Sequence, residues 1–168
     1  DTSPGASEDD LIKELEKGSV KTLIFVDGNP GYDSSRDWKA LLKGVDKVVR
    51  FGYSMDETSD LADAHVASTH YLESWADGMS WAQDALFPVQ PLIEPLFDGI
   101  SELDFLARLA GVKEDAHSLV KETFAELSGN GDFNLFLREG QWKRSPTKFS
   151  GDINFENLPS SKGTNVPS

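Results

Sequence analysis

The chain has 168 residues and a formal net charge of −13, with 38% hydrophobic residues and no cysteine. This apolar content suffices for one packed domain, whereas the excess of acids argues against nucleic acid or an anionic membrane surface as partners. Without cysteine the chain has no thiolate site, and no apolar run reaches the roughly 20 residues of a membrane span, so we expect no membrane insertion.

The first predicted elements are a helix and a strand. After a loose lead-in over residues 1–7, Ser7 precedes the acids Glu8-Asp9-Asp10, which suit a helix N-terminus, and Gly18 marks the end of that helix. The unbroken apolar run within about 20–26 is typical of a strand buried on both faces of a parallel sheet.

The turn after this strand, residues 27–31, contains Asn-Pro and two glycines, which force the chain out of regular structure. We predict that Ser34 or Ser35 caps a helix over about 35–43. A second strand at 46–51 then completes a βαβ unit. Ligands bind at the carboxyl edge of such open α/β sheets.

The middle of the chain is predicted to hold one more strand. Asp56 or Ser54 caps a short helix, and a third strand follows at 64–67. Residues 79–98 show neither a helical nor an alternating period and carry three prolines. We interpret VQPLIEPLF, residues 89–97, as an extended connection that crosses the surface.

Helical patterns return in the last third of the chain, at about 102–110, 114–128 and 132–139. From Gln141 onward Lys, Ser, Pro, Gly and Asn dominate, and we expect little packed structure there. Three units follow the lead-in: an α/β domain at 8–112, a helical extension at 113–140 and a loose tail at 141–168.

These patterns predict a three-layer αβα, Rossmann-like domain of the α/β class, with a mostly parallel sheet and a C-terminal helical extension. Because parallel strands end at the same edge, the turns at 28–33, 53–58 and 68–73 should gather there.

No autonomous catalytic constellation is evident. His70 and Glu73 are spaced so that both could contact one metal ion, but third and fourth ligands are missing, so we favour a hydrogen-bonded capping pair. Ser74 lacks the G-x-S-x-G context of a hydrolase nucleophile. The turn at 28–31 matches neither G-x-G-x-x-G nor a P-loop, which leaves a nucleotide-binding turn and a purely geometric turn as open alternatives.

Three separated motifs, taken in order, resemble a known family. They are GNPGYD after the first strand, MDETSDLADAHVASTHYLESWADG, and VQPLIEPLFDGISELDFLARLAG. Over about residues 8–112 they resemble the large subunits of molybdopterin oxidoreductases of the DMSO reductase superfamily. The likeness is strongest to the iron–sulfur, molybdopterin-like subunit of alternative complex III and to polysulfide-reductase-type complexes. The later DFNLFLREGQW resembles the linker before the C-terminal domain of such subunits, so we interpret the chain as a fragment.

The resemblance implies that the full subunit holds molybdopterin guanine dinucleotide and iron–sulfur clusters, whose cysteine ligands lie outside this chain. The resemblance also implies that five residues at the sheet edge lie on the cofactor side and bind the cofactor: Gly28, Asn29, Pro30, Glu57 and Thr58. The fragment itself is expected to hold no cofactor or metal and to be inactive alone. Asp27 departs from the glycine usual in the family, and its carboxylate would repel a phosphate.

The implied partners are the remainder of the parent subunit and other subunits of a membrane-bound respiratory complex, on the periplasmic side of a bacterial membrane. The alternative is a stand-alone acidic α/β protein-interaction module without cofactor, which docks a partner through the region of Trp75 and Pro91.

Overall fold

The structure is a computed structural model and describes residues 6–144. Its elements, in chain order, are α1 Glu8–Glu16, β1 Thr22–Val26, α2 Pro30–Asp33, α3 Trp38–Leu41, β2 Lys47–Gly52, β3 Ala64–Ala67, β4 Ala76–Met79, β5 Ala85–Val89, α4 Glu102–Ala110, α5 Ala116–Ser128, α6 Phe133–Glu139 and β6 Trp142–Lys143. The predictions for residues 1–5 and 145–168 lie outside the described residues. None of the helices within residues 6–144 is long and apolar enough to cross a bilayer.

Strands β1, β2 and β3 form a parallel sheet in that spatial order. Thr22 pairs with Lys47 at the start of β1, and Val49 pairs with Ala64 at the start of β3. The α/β class and the parallel pairing of the three predicted strands are therefore confirmed. Short helical crossovers return the chain to the same end of the sheet each time, which is why all three strands point one way.

Helices cover both faces of this sheet. On one face, Phe25 of β1 meets Trp38 of α3 edge-on, with ring centroids 5.4 Å apart, and Ile12 and Leu15 of α1 join the same buried cluster. On the other face, the ring of Phe51 in β2 stacks on Phe105 of α4 at 4.3 Å. This arrangement matches the predicted three layers.

The helix ends follow the sequence signals. Ser7 and Asp10 form a reciprocal capping box at the start of α1. Side-chain oxygens of Ser101, Asp115 and Asp132 cap the later helices α4, α5 and α6. Each of these three helices ends at a glycine in the left-handed conformation, as expected where the chain must leave a helix.

A second sheet, which the sequence pattern does not predict, contains β4, β5 and β6 in antiparallel order. Leu86 of β5 packs with Phe124 and Phe136 in a separate core, and Trp142 of β6 lies against it. The sequence shows no period over 79–98, yet this stretch contains β5, the central strand of the sheet. The connection expected over 89–97 is wrong only at Val89, the last residue of β5. The expectation of little packed structure from Gln141 onward is also wrong for the two residues of β6.

The connection from β1 to β2 differs in detail from its prediction. The continuous helix expected over 35–43 is only α3, followed by a 3₁₀ turn at Leu42–Gly44. Its cap is Asp37, whose carboxylate accepts the Ala40 N–H at 3.0 Å, and not Ser34 or Ser35. The reason is local, because an Asp at this position supplies an oxygen one residue before the helix starts.

Candidate functional site

The turns that follow β1 and β2 meet at the carboxyl edge of the parallel sheet. Pro30 begins the one-turn helix α2, which lies directly after the first turn. Asn29 in the first turn and Glu57 and Thr58 in the second are in direct hydrogen-bonding contact, although 28 or more positions separate them in the chain. The five residues predicted at this edge, Gly28, Asn29, Pro30, Glu57 and Thr58, therefore lie in two adjoining turns.

The Asn29 side chain is the centre of this contact. Its Nδ2 donates to Glu57 Oε2 at 2.7 Å. Its Oδ1 accepts both the Thr58 Oγ1–H at 2.7 Å and the Thr58 backbone N–H at 3.2 Å. Thr58 is 0% exposed, so these bonds are shielded from water on the threonine side. We call the contact of Asn29, Glu57 and Thr58 the edge latch.

Gly31 extends the latch through its backbone. Its N–H donates to Thr58 Oγ1 at 3.0 Å. A Cβ at Gly31 would lie 2.9 Å from the Glu57 carbonyl carbon and 2.9 Å from the Thr58 nitrogen, which is closer than real Cβ contacts come. Only glycine therefore allows the two turns to approach this closely.

The hydrogen bond from Asn29 has an electrostatic consequence. It lowers the pKa of the Glu57 carboxyl below its ordinary value, because the amide donor stabilises the charged form. Glu57 is exposed, so the bond to Asn29 orients the carboxylate at the surface of the edge.

A buried arginine, which the sequence analysis does not single out, lies beneath this edge. Arg50 of β2 is only 5% exposed. Its Nη2 contacts Asp56 Oδ2 at 2.8 Å, and its Nη1 donates to the carbonyls of Asp27 at 2.9 Å and Phe51 at 2.6 Å. Arg50 therefore fastens the end of β1 to the turn after β2.

Asp56 completes the charge balance. The Arg50 guanidinium, as the largest cause, lowers the pKa of Asp56 from its ordinary 3.8 to about 2. The same carboxylate accepts the Ser59 N–H at 2.9 Å, which fixes the 3₁₀ turn Ser59–Leu61. The cap predicted for Asp56 is met only in part, because the N-cap position of this turn is Thr58, which makes no side-chain cap bond, and Asp56 accepts the Ser59 N–H from two residues further back. The principal partner of Asp56 is a buried cation.

Two consecutive residues after β1 adopt positive φ angles, Asp27 at 49° and Gly28 at 55°. This conformation turns the Asp27 carbonyl toward Arg50. A non-glycine residue in this region carries a steric cost that aspartate tolerates better than most. The backbone geometry at Asp27 is therefore one that glycine adopts more readily.

A groove of about 740 Å³ lies beside the latch, between the start of α1 and residues 28–38. Its charged lining includes Glu8, Asp33 and Arg36, and Arg36 is already paired with Asp9 at 2.6 Å. The buried indole N–H of Trp38, which also lines the groove, has no hydrogen-bond partner within residues 6–144. The groove is therefore lined by serine hydroxyls and by mainly acidic charged side chains.

His70 and Glu73 form the capping pair that the sequence favours. His70 Nδ1 accepts the Leu72 N–H at 3.3 Å, while Glu73 Oε2 accepts the His70 N–H at 2.9 Å. Within residues 6–144 there is no group of three or more His, Asp or Glu side chains arranged to hold a metal ion. His65 is engaged elsewhere, with its Nδ1 3.0 Å from Ser59 Oγ.

No protein family model and no curated protein matches the sequence of this chain. Among solved structures, acetylene hydratase from Pelobacter acetylenicus matches it with a TM-score of 0.63 and 20% sequence identity. The match covers 81% of this chain and 20% of acetylene hydratase. The chain shares its fold with a segment of that protein. At this identity the likeness concerns the fold alone, and the chain spans about a fifth of the length of the structure that it matches.

Proposed function

We propose that the chain is an α/β building block of a larger molybdopterin-oxidoreductase-type subunit and that its contribution there is structural. Two independent observations support this. Its fold is shared with a segment that makes up a fifth of acetylene hydratase. In addition, the three sequence motifs resemble the molybdopterin oxidoreductases of the DMSO reductase superfamily in their order along the chain.

The observation that carries the structural role is the edge latch. Both polar atoms of the Asn29 side chain are bonded within the chain, and the hydroxyl of Thr58 is used as donor and as acceptor. The buried cation Arg50 is paired with Asp56. Side chains used in this way hold two turns together and leave few donors for a ligand.

The residues at this edge do not fit the phosphates of a guanine dinucleotide well. A polyanion needs unpaired donors or positive charge, whereas the edge presents the carboxylates of Asp27 and Glu57, and the adjoining groove adds Glu8 and Asp33. The assignment of Gly28, Asn29, Pro30, Glu57 and Thr58 to the cofactor stays a prediction. We favour the latch as their role.

In this proposal the latched edge is a rigid surface against which the remainder of the parent subunit packs. The iron–sulfur clusters and the pterin, where the parent has them, are bound by other parts of it. The parent belongs to a membrane-associated electron-transfer complex, on the periplasmic side of a bacterial membrane, as the resemblance implies.

Thermal unfolding of the full chain with and without millimolar GDP tests the structural role. We expect no shift of Tm, because the net charge is −13 and the donors of the edge are already bonded. Asp27→Gly removes one carboxylate and relieves the positive φ, so Tm should stay unchanged or rise, again without response to GDP. A GDP-dependent rise of Tm in either protein would contradict the latch and favour the cradle.

The parentage is tested separately by the full reading frame. Flanking sequence that encodes cysteine-rich, ferredoxin-like segments would support the larger subunit. The competing function is a stand-alone acidic interaction module, and it is favoured by the long stretch without basic residues between Arg50 and Arg108. A reading frame that adds no further domain would favour this second function.

A further inference from the structure

The segment 91–97 exposes a run of large apolar side chains. Leu92 is 75% exposed, Leu96 66% and Phe97 83%, and Ile93 lies exposed between them. Single exposed apolar side chains are ordinary, but a contiguous group of them marks an interaction surface.

The backbone of this segment is anchored, although it has no regular secondary structure. The Leu92 N–H donates to the Leu72 carbonyl at 2.7 Å, and the Leu96 N–H donates to Glu73 Oε1 at 3.2 Å. Just after the segment, Ile100 forms a parallel bridge with Ser68 beyond the end of β3. A partner would therefore meet apolar side chains on a main chain that is already ordered, which lowers the entropic cost of binding.

The exposed surface continues toward the carboxyl edge of the sheet. Phe97 and Tyr53 line a cleft of about 260 Å³ together with Glu73. Tyr53 and Tyr71 are themselves exposed. We call residues 91–97 with Tyr53 and Tyr71 the strap surface.

The sequence that contains the strap surface is strongly acidic. Between Arg50 and Arg108 the sequence contains no lysine or arginine and eleven aspartates and glutamates. Glu94 lies within the strap and Asp98 follows it directly, both exposed. One cation lies nearby, since Arg108 lines a cleft together with Pro95.

We propose that the strap surface docks a protein partner whose contact face has an apolar centre and a rim of lysine and arginine. The apolar side chains supply the buried centre of such an interface, and the acids match its rim. An anionic membrane and a second copy of this chain both carry the same sign of charge as the strap, so the charges oppose both. The inference does not depend on the proposed function, because it rests only on the exposure and the charge of the strap surface.

The test uses the full ¹⁵N-labelled chain and two synthetic amphipathic helical peptides of about 18 residues, above the length at which isolated helices are marginal. One peptide combines leucine with lysine, and the other combines leucine with glutamate. Chemical-shift mapping should place the Leu/Lys peptide on residues 91–97, Tyr53 and Tyr71, and the Leu/Glu peptide should not bind. Raising the ionic strength from about 0.1 M to about 1 M should weaken binding several-fold, since it shortens the Debye length from about 10 Å to about 3 Å.

Substitutions test the apolar centre and the acidic rim of the strap surface separately. The double substitution Leu92→Ser/Phe97→Ser should raise the Kd at least about tenfold, and Glu94→Lys should raise it several-fold while leaving the apolar centre intact. Leu109→Ser is the matched control, because Leu109 is also exposed but lies on α4, outside the strap surface. It should change the Kd by less than about twofold.

Several outcomes would overturn the proposal. They are equal binding of both peptides, shifts confined to the acids of α1, and unchanged affinity in Leu92→Ser/Phe97→Ser together with Glu94→Lys. Concentration-dependent self-association that the strap variants abolish would assign the surface to a second copy. Binding of the chain to phosphatidylserine vesicles through the strap would assign it to a membrane. Nuclear Overhauser contacts between Phe97 and residues 145–168 would assign it to the chain's own C-terminal segment.

Discussion

Replacing Asn29 by alanine should lower the free energy of unfolding by about 2–4 kcal/mol. The substitution removes two hydrogen bonds to Thr58 and one to the exposed Glu57. A net bond contributes about 0.5–1.5 kcal/mol, and a buried donor left without a partner costs about 1–3 kcal/mol. Because Thr58 is fully buried, its N–H and hydroxyl supply most of the effect. The exposed bond to Glu57 should contribute little.

A double-mutant cycle isolates this contribution. Thr58→Val keeps the shape of the side chain but removes the hydroxyl that bonds Asn29 and accepts the Gly31 N–H. The double variant should be about 1–2 kcal/mol more stable than the sum of the single effects, because it leaves no stranded hydroxyl. Urea unfolding followed by far-UV circular dichroism and by tryptophan fluorescence measures this, since Trp38 and Trp142 report the two separate cores.

Glu57→Gln is the control for the exposed part of the latch. Its amide oxygen can still accept from Asn29, so stability should change by less than about 0.5 kcal/mol. In Asn29→Ala the pKa of Glu57, followed by NMR, should rise toward its ordinary value. If the Asn29 and Thr58 effects add within about 0.3–0.5 kcal/mol, or if Asn29→Ala is as stable as the wild type, the latch is refuted. A residue kept for a ligand would give that second result, because binding residues often contribute nothing to stability.

Three other perturbations test the surroundings of the latch. Breaking the buried ion pair with Asp56→Asn should destabilise the fold by about 3–5 kcal/mol, because Arg50 then stays buried without a counter-charge. The pKa of Asp56 is about 2 in the folded state and 3.8 ordinarily, so its contribution to the free energy of unfolding is fully present above pH 3.8 and is lost as the pH falls toward about 2. At about 1.36 kcal/mol per pKa unit this contribution is about 2 kcal/mol, and solvent screening at the exposed side of Asp56 makes it somewhat smaller. Acid titration of stability checks this, with Asp77→Asn as the opposite control: burial raises the pKa of Asp77, so removing its charge should leave stability at neutral pH unchanged or improve it. Gly31→Ala should cost about 1–3 kcal/mol, because its Cβ would press on the backbone after β2, whereas Gly44→Ala, with open space around it, should be neutral; equal effects at both glycines would contradict the close approach.

The parallel sheet and its edge could be predicted from the sequence because the signals are local. The apolar run of β1 does not alternate and forms the predicted strand, although β1 lies at the edge of the sheet and only Phe25 in it is buried, and not on both faces as expected. The Asn-Pro step ends this strand, and Pro30 then begins the short helix α2. Once three strands run parallel, their turns must meet, so the proximity of Asn29 and Thr58 follows from topology. The hydrogen bonds between them do not follow, since they depend on the close approach that Gly31 allows.

The second sheet and the arginine network could not be predicted in the same way. β5 contains Pro88, and proline argues against a central strand. Pro88 is tolerated because β6 pairs only with Ala85 and Leu86, so that at Pro88 β5 has a neighbour on one side only, Asp77 of β4. Arg50 lies in an otherwise apolar strand, and from the sequence alone its side chain would be expected to point to solvent. It is buried because Gly52 leaves room for the guanidinium to fold back, with its would-be Cβ only 2.7 Å from Arg50 Cζ, and because Asp56 neutralises it.

The position of β6 has a consequence for folding during synthesis. β5 can pair with β6 only after Trp142 and Lys143 have left the ribosome. By then all three strands of the parallel sheet have long been synthesised. The contact between these strands is of high sequence separation, so it forms late and slowly compared with the β1-β2-β3 unit. Until then β5 has one unpaired strand edge, and the apolar core around Phe124 beside it is not fully covered. Nascent chains that stop short of residue 142 therefore carry an aggregation hazard that the finished chain lacks.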